Sequence, residues 1–454
     1  VNDSEFWRSR EWIRYVHDYA KAENINPFAL LVMVLMREAM RIPPNLLIPS
    51  LGIGGRGRVA GVNVFVALVG GPGDGKDTTE SAAADLVPDI LDADVHLPVS
   101  GEGIAAMFAD RVPDLDDKGK RIGSHQSCRN PRVLLSVSEV GQLSGAARIS
   151  SSTLISTLLN VFMGKQFGAF NRNADNRLQI PAYAYRLCMS VNAQPSAADA
   201  FTEYEGLGWP QRFMWADVLD PDCDTDPDRR TPHPKGEFTW HVRYESPSPA
   251  AFDAVYRAES WGAYHKQHRQ AGRDSYELLE LEYPTNALDD AFRDSVARNR
   301  GTRSPLDSHT MLLTAHVAAV VASMRAPDLK VNADDWMLAR RIVDMSNKCR
   351  ERYLSKAREN VTAKLADEMQ VKDDARAEAD VRMLDRARTR ILKVLGDKDP
   401  KREGMAERNL RNSMNTSQRK VFASAIESLK NDNKIDWRKG SDEGMYYSLS
   451  ITRA

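Results

Sequence analysis

Seven residues constrain this chain more than any others. Gly70-Gly71-Pro72-Gly73-Asp74-Gly75-Lys76 follows an apolar run, Val62–Val69, that reads as a strand, and leads into Thr78–Leu86, which reads as a helix. This is G-x-x-x-x-G-K in the strand–loop–helix setting that its chemistry requires. The glycines let backbone N–H groups converge on phosphate oxygens, the helix start adds partial positive charge, and Lys76 reaches the β- and γ-phosphates. A glycine-rich turn without a nucleotide is the plainer alternative, but the lysine and both flanking elements are present. The expectation is a nucleoside triphosphate, ATP with Mg²⁺, held by Gly70, Gly73, Gly75, Lys76, Asp77 and Thr78. A second glycine cluster, Gly52 to Gly57, fits G-x-G-x-x-G but precedes a strand instead of following one, so a dinucleotide reading lacks its context.

The loop departs from its usual form in one place. The residue after the lysine is ordinarily Ser or Thr, whose hydroxyl meets Mg²⁺; here it is Asp77, with Thr78 and Thr79 behind it. A matching departure lies in Arg132–Glu139, an apolar strand ending in glutamate in the manner of a Walker B segment. Its usual aspartate is replaced by Ser138. Both positions face one metal ion in such sites. A swap is therefore expected, with Asp77 giving the carboxylate, Ser138 the hydroxyl and Thr78 a further oxygen, while Glu139 polarises the attacking water. The alternative leaves the ion to nucleotide and water, with Asp77 serving the helix start.

The 454 residues are 42% hydrophobic and 28% charged, which suits a folded chain of several domains and not a disordered one. The longest apolar runs fall short of a membrane span, and no membrane partner is expected. The four cysteines match no metal spacing and read as reduced thiols, so the expected compartment is the cytoplasm. Residues 1–60 read as a helical lead, with Asn26-Pro27 opening a helix that ends near Met40. Residues 61–248 alternate strand-like and helical runs, the pattern of an α/β domain. Strands are expected at Val62–Val69, Val95–Val99, Val133–Val137, Ala184–Val191 and Phe238–Tyr244. Residues 249–356 read as a helical lid. Its clearest helix is Ser308–Met324, capped by Asp307 or Ser308, and a second starts near Asn332 with Asp334 and Asp335 in its first turn. Residues 357–384 read as a charged linker helix.

Tyr185–Asn192 is another apolar strand with a polar end, followed by Gly208-Trp209-Pro210-Gln211-Arg212-Phe213. In this order of motifs the chain resembles AAA+ P-loop ATPases, and the Gln-Arg-Phe step is similar to that of minichromosome-maintenance-like and phage or plasmid replicative helicases. The likeness runs from about Phe6 to Arg350 and looks closest to P-loop proteins of actinobacterial phages and integrative elements. It implies that Asn192 is a sensor placing the attacking water and that Arg212 is a finger reaching the γ-phosphate of a neighbouring subunit. Hydrolysis would then depend on a homo-oligomer, a hexameric ring. An internal salt bridge for Arg212 and a plain strand-end role for Asn192 are the alternatives. Gly164–Arg177 reads as a hairpin with an Asn/Asp-rich tip. The resemblance makes it a channel hairpin, with Lys165, Arg172 and Arg177 on single-stranded DNA and Phe167 or Phe170 packing or stacking; an ordinary surface hairpin is the alternative. The lid offers no clear second sensor, Arg303 and His309 being the nearest residues.

Residues 385–454 carry 16 Lys/Arg against 10 Asp/Glu, whereas the whole chain is at -1. Helical segments at Ala387–Leu395, Met405–Met414 and Ser417–Lys430 precede two short strands, the order of a winged helix. Thr416 or Ser417 would cap the third helix, which presents Gln418, Arg419 and Lys420 to duplex DNA, with Arg438 and Lys439 at the wing. Protein-interaction winged helices are the alternative. The expected activity is that of a DNA-dependent ATPase acting as a replicative helicase or translocase. An ATP-gated initiator that does not unwind, and a nucleotide-type kinase using Thr78, are the rivals.

Overall fold

A computed structural model describes residues 4–51, 59–88, 100–147, 153–169, 177–226, 231–236, 244–258, 260–267 and 275–451. They form two compact units, residues 1–360 and 361–454. The first unit is α/β and is organised by a four-stranded sheet in the order Phe213–Asp217, Phe65–Val69, Arg186–Ala193, Arg132–Val137. All three pairings are parallel, with Phe65 opposite both Phe213 and Met189, and Arg132 opposite Arg186. Phe65–Val69 and Arg186–Ala193 are buried along their whole length, as inner strands of a parallel sheet covered on both faces must be. That burial accounts for the unbroken apolar sequence of Phe65–Val69.

Helix Pro27–Arg41 packs on this sheet and on the helix after the glycine loop. Pro27 suits a first helical position, and Asn26 Oδ1 accepts hydrogen bonds from the Phe28 and Ala29 amides. Every residue of the helix except Arg37 and Arg41 is buried, so Glu38 lies in the core. Arg41 Nη1 bonds Glu38 Oε1 at 3.1 Å. Burial nevertheless pushes the Glu38 carboxyl up to about 7, against the pull of Arg41 and Arg37. A proton is thus held more tightly in the folded state than in the unfolded one. Stability is fully present below the unfolded value near 4.5 and falls as pH rises to about 7. Glu38→Gln keeps an acceptor for Arg41 and removes the titration. The variant is expected to gain on the wild type between pH 5 and pH 8 by up to about 3 kcal/mol. Thermal unfolding of both proteins across that range checks it, and parallel pH profiles would contradict it.

Aromatic rings fill the space beside the sheet: Trp209 stands 4.7 Å from Phe213 and Phe201 stands 4.6 Å from Trp215, centroid to centroid. Helix Thr310–Arg325 is buried on all sides, not along one stripe. Its N-cap is His309, which makes no side-chain cap, and Asp307 instead accepts from Arg350 at 3.1 Å. Asn332 caps helix Ala333–Lys398 through the Asp335 amide, and Asp335 returns the bond to the Asn332 amide while also holding Arg325.

Ala109–Leu115 and Arg121–Cys128 form an antiparallel hairpin where no strand was expected. Asp116 Oδ1 accepts from the Lys118 and Lys120 amides, and Gly119 takes φ +76 to close the turn. The strand expected at Val95–Val99 lies outside the described residues. So do residues 238–243 of the Phe238–Tyr244 candidate, and Tyr244 itself is not in a strand. Among the described residues, no helix is long and apolar enough to cross a membrane.

In the second unit, the end of helix Ala333–Lys398 packs with helices Glu407–Asn412 and Phe422–Asn431, and the short helix Thr416–Lys420 lies between those two in the chain. The core contains Ile391, Leu395, Leu410, Phe422, Leu429, Ile435 and Tyr447. Met405–Ala406, expected as helix, is a strand, and the sheet order is Met405–Ala406, Met445–Leu449, Ile435–Lys439, antiparallel throughout. The expected helix Ser417–Lys430 is broken at Val421, and its cap is Asn415, not Thr416 or Ser417.

Candidate functional site

The Phe65–Val69 strand delivers the chain into the glycine loop at the carboxyl edge of the sheet. A Cβ on Gly70 would stand 2.5 Å from Val218 Cγ2, so only glycine fits there. Gly75, at φ +92, turns the backbone into helix Lys76–Leu86. Lys76 is buried inside the loop, its Nζ donating to Gly71 O at 2.5 Å and Gly70 O at 3.1 Å. Asp74 Oδ2 accepts from the Gly71 amide at 2.5 Å. Both charges of the loop are satisfied by its own backbone.

Beyond Lys76, one face of the helix carries Asp77 and Glu80, three residues apart and therefore side by side. Opposite them, the sheet offers polar residues at alternate positions of two neighbouring strands. Ser136 is paired with Ser190 in register. Asn192 lies two residues beyond Ser190 within the same strand, so the two share a sheet face. Asn192 Nδ2 donates to Asp77 Oδ1 at 3.3 Å, and Ser136 Oγ donates to Glu80 Oε2 at 2.6 Å. Burial raises the Glu80 carboxyl, while the Ser136 and Ser190 hydroxyls act in the other direction. Ser138 and Glu139 are exposed just past the end of the Arg132–Val137 strand.

The strand bearing Asn192 lies between the strand that feeds the loop and the strand that feeds Glu139. Lys76, Asp77, Asn192, Ser138 and Glu139 thus gather at the carboxyl ends of three parallel strands, the edge where open α/β sheets bind ligands. Among the described residues, no group of three or more His, Cys, Asp or Glu side chains is placed to hold a metal ion by itself. Two buried acceptor oxygens, Glu80 Oε1 and Asn192 Oδ1, have no hydrogen-bond partner. With Asp77, which accepts from Asn192 and lies beside Glu80, they make an all-oxygen cluster. That set fits Mg²⁺, which takes one or two carboxylates and leaves its other positions to phosphate and water.

Arg212 is not placed as a finger. It is 9% exposed, its Nη1 donating to Gly208 O at 2.5 Å and Leu207 O at 3.2 Å, with its guanidinium 5.9 Å from the Phe162 ring centroid. Burial lowers its pKa to about 10. The salt-bridge alternative fails as well, since these partners are carbonyls. Arg303 is paired with Asp294 at 2.8 Å, and His309 is driven down to about 3 by burial and then by Arg212 and Arg303, so it is neutral at physiological pH.

Phe167–Ala169 and Leu178–Ile180 form the hairpin expected between the Glu139 and Asn192 segments, but Phe170 and Arg172 lie outside the described residues. Phe167 is buried against Phe108 and Tyr185, which removes it as a stacking platform. Lys165 is exposed, and Arg177 is half-buried with its carbonyl accepting from Arg111. In the second unit, Gln418 closes a capping box with Asn415, and Arg419 donates to the Arg411, Met414 and Asn412 carbonyls. Arg438 donates to Glu403 O, leaving Lys420 and Lys439 as the exposed cations of the set with no such backbone tie.

Sequence reasoning did not single out Glu80, Ser136 or Ser190. The available signal was the two-residue spacing of Ser136 with Ser138 and of Ser190 with Asn192, set against the three-residue spacing of Asp77 and Glu80. No family model matches the chain, and no curated protein is significantly similar to it.

Proposed function

We propose that this chain is a P-loop ATPase of the AAA+ type that acts on DNA as a replicative helicase or translocase of a phage or mobile element. The observation that carries the reading is the Asn192–Asp77 hydrogen bond. It joins a polar residue on the intervening strand to the first residue after the loop lysine. In this reading Lys76 and the loop amides hold the triphosphate, and Asp77, Thr78 and Ser138 hold Mg²⁺. The ion, bound with its nucleotide, supplies positive charge to the β- and γ-phosphate oxygens. Glu139 accepts a proton from the attacking water, and Asn192 orients that water. Lys76 must leave the Gly70 and Gly71 carbonyls to reach the phosphates.

Arg212 has no part across a subunit boundary in this reading; it braces the turn that carries the Phe213–Asp217 strand. Ring assembly therefore rests on the resemblance, and DNA engagement on the basic second unit, read as a winged helix, with Lys420 and Lys439 among its exposed cations. The experiment is ATP hydrolysis measured across a size-exclusion profile of the full chain, with and without single-stranded DNA. Activity is expected in the oligomeric fractions and is expected to rise with DNA. A monomer that hydrolyses ATP without response to DNA would point to the kinase rival.

A further inference from the structure

Resting on that reading of the site, we propose that Glu80 is a positioning residue for the divalent cation, so that negative charge comes from the helix and the hydroxyl groups come from the strands. The usual arrangement places a hydroxyl on the helix and an acid on the neighbouring strand. Here each partner is exchanged. The helix bears Asp77 and Glu80, one turn apart on one face, and the strands bear Ser136, Ser190 and Asn192, with Ser138 just past a strand end.

Three observations converge. Glu80 is bound on one oxygen only, by Ser136 Oγ at 2.6 Å, and its Oε1 is buried without a partner. Asn192 is 1% exposed, its amide nitrogen is committed to Asp77, and its Oδ1 is also buried without a partner. Ser136 and Ser190, opposite each other in register, both turn toward Glu80. Buried acceptors in folded proteins nearly always have a donor. A hard cation with its water shell supplies both a charge and donors to such oxygens, and Mg²⁺ characteristically keeps several waters. Carboxylates in the layer just behind metal ligands orient those ligands and tune affinity by 10- to 100-fold. A plain brace between helix and strand would explain the Ser136 bond but not the second oxygen, nor the neighbouring orphan on Asn192.

The test uses the full chain with Mn²⁺ as the probe, followed by electron paramagnetic resonance in the presence of a non-hydrolysable ATP analogue. Affinity for the same analogue is measured in EDTA. Glu80→Gln keeps the shape and an acceptor for Ser136 while removing the charge. It is expected to weaken Mn²⁺ binding about tenfold or more and to leave analogue affinity in EDTA unchanged. The double variant Glu80→Ser with Ser136→Asp moves the acid to the strand, and is expected to return Mn²⁺ affinity to within about threefold of wild type. Unchanged Mn²⁺ affinity in Glu80→Gln, or equal losses with and without metal, would overturn the assignment. Should Glu80→Gln not fold, the double variant decides: retained Mn²⁺ affinity supports the proposal and lost affinity overturns it. If wild type and Lys76→Ala are alike in binding no nucleotide, the nucleotide reading itself falls, and that result is distinct from wild-type binding that Glu80→Gln leaves untouched.

Discussion

Lys76→Ala is expected to reduce affinity for Mg·ATP by at least about 100-fold and to abolish hydrolysis. The ammonium sits within the loop on the Gly71 and Gly70 carbonyls, and must exchange them for phosphate oxygens. Exchanging those neutral acceptors for a triphosphate gives charge-assisted bonds, each about 1.5–3 kcal/mol. Losing about 3 kcal/mol corresponds to about two decades in the dissociation constant. The fold is expected to survive, because the lost bonds lie within the loop itself and Gly71 is only partly buried. Calorimetric titration of both proteins, with circular dichroism to show equal folding, measures the difference. Equal affinities would mean that the loop does not bind phosphate.

Arg186→Met is expected to have the largest effect on stability. Arg186 is fully buried on the strand that carries Asn192, and its guanidinium donates to Ile42 O at 3.1 Å, Pro43 O at 2.6 Å and Asn63 Oδ1 at 3.5 Å. Asn63 extends the network, its side-chain Nδ2 donating to Val161 O and its backbone carbonyl accepting from His316 Nδ1. Methionine fills much of the volume but donates nothing, leaving two buried carbonyls without partners at about 1–3 kcal/mol each. The expected loss is about 4 kcal/mol, seen in denaturant unfolding of the first unit, whereas Arg129→Ala at an exposed pair is expected to change stability by less than about 0.5 kcal/mol. A loss below about 1 kcal/mol for Arg186→Met would show that the network carries no stability.

The parts of the fold that were legible are those where local chemistry and burial agree. Asn26-Pro27 announces its helix because the cap and the fixed proline φ are both local. The strands at Phe65–Val69 and Arg186–Ala193 show as apolar runs because both of their faces are covered. The Ala109–Cys128 hairpin was not legible: it is largely exposed, with Leu115 and Ile122 in solvent, so burial leaves no alternation to read. Met405–Ala406 is a strand only through its pairing with Tyr446 and Tyr447, some 40 residues away. In the site, Lys76 and Glu139 were visible as motif positions. The burial of Arg212 depends on how the Gly208 turn folds back, and the role of Glu80 depends on strand register, neither of which a linear reading contains.

In the proposed reading, the Gly70–Lys76 loop and the oxygen-rich layer beside it bind a nucleoside triphosphate with a divalent cation. Isothermal titration of the full chain with ATP, in Mg²⁺ and in EDTA, tests it most directly. One nucleotide per chain, bound at micromolar concentration and weakened when the metal is removed, is the predicted result. No saturable binding under either condition would contradict it.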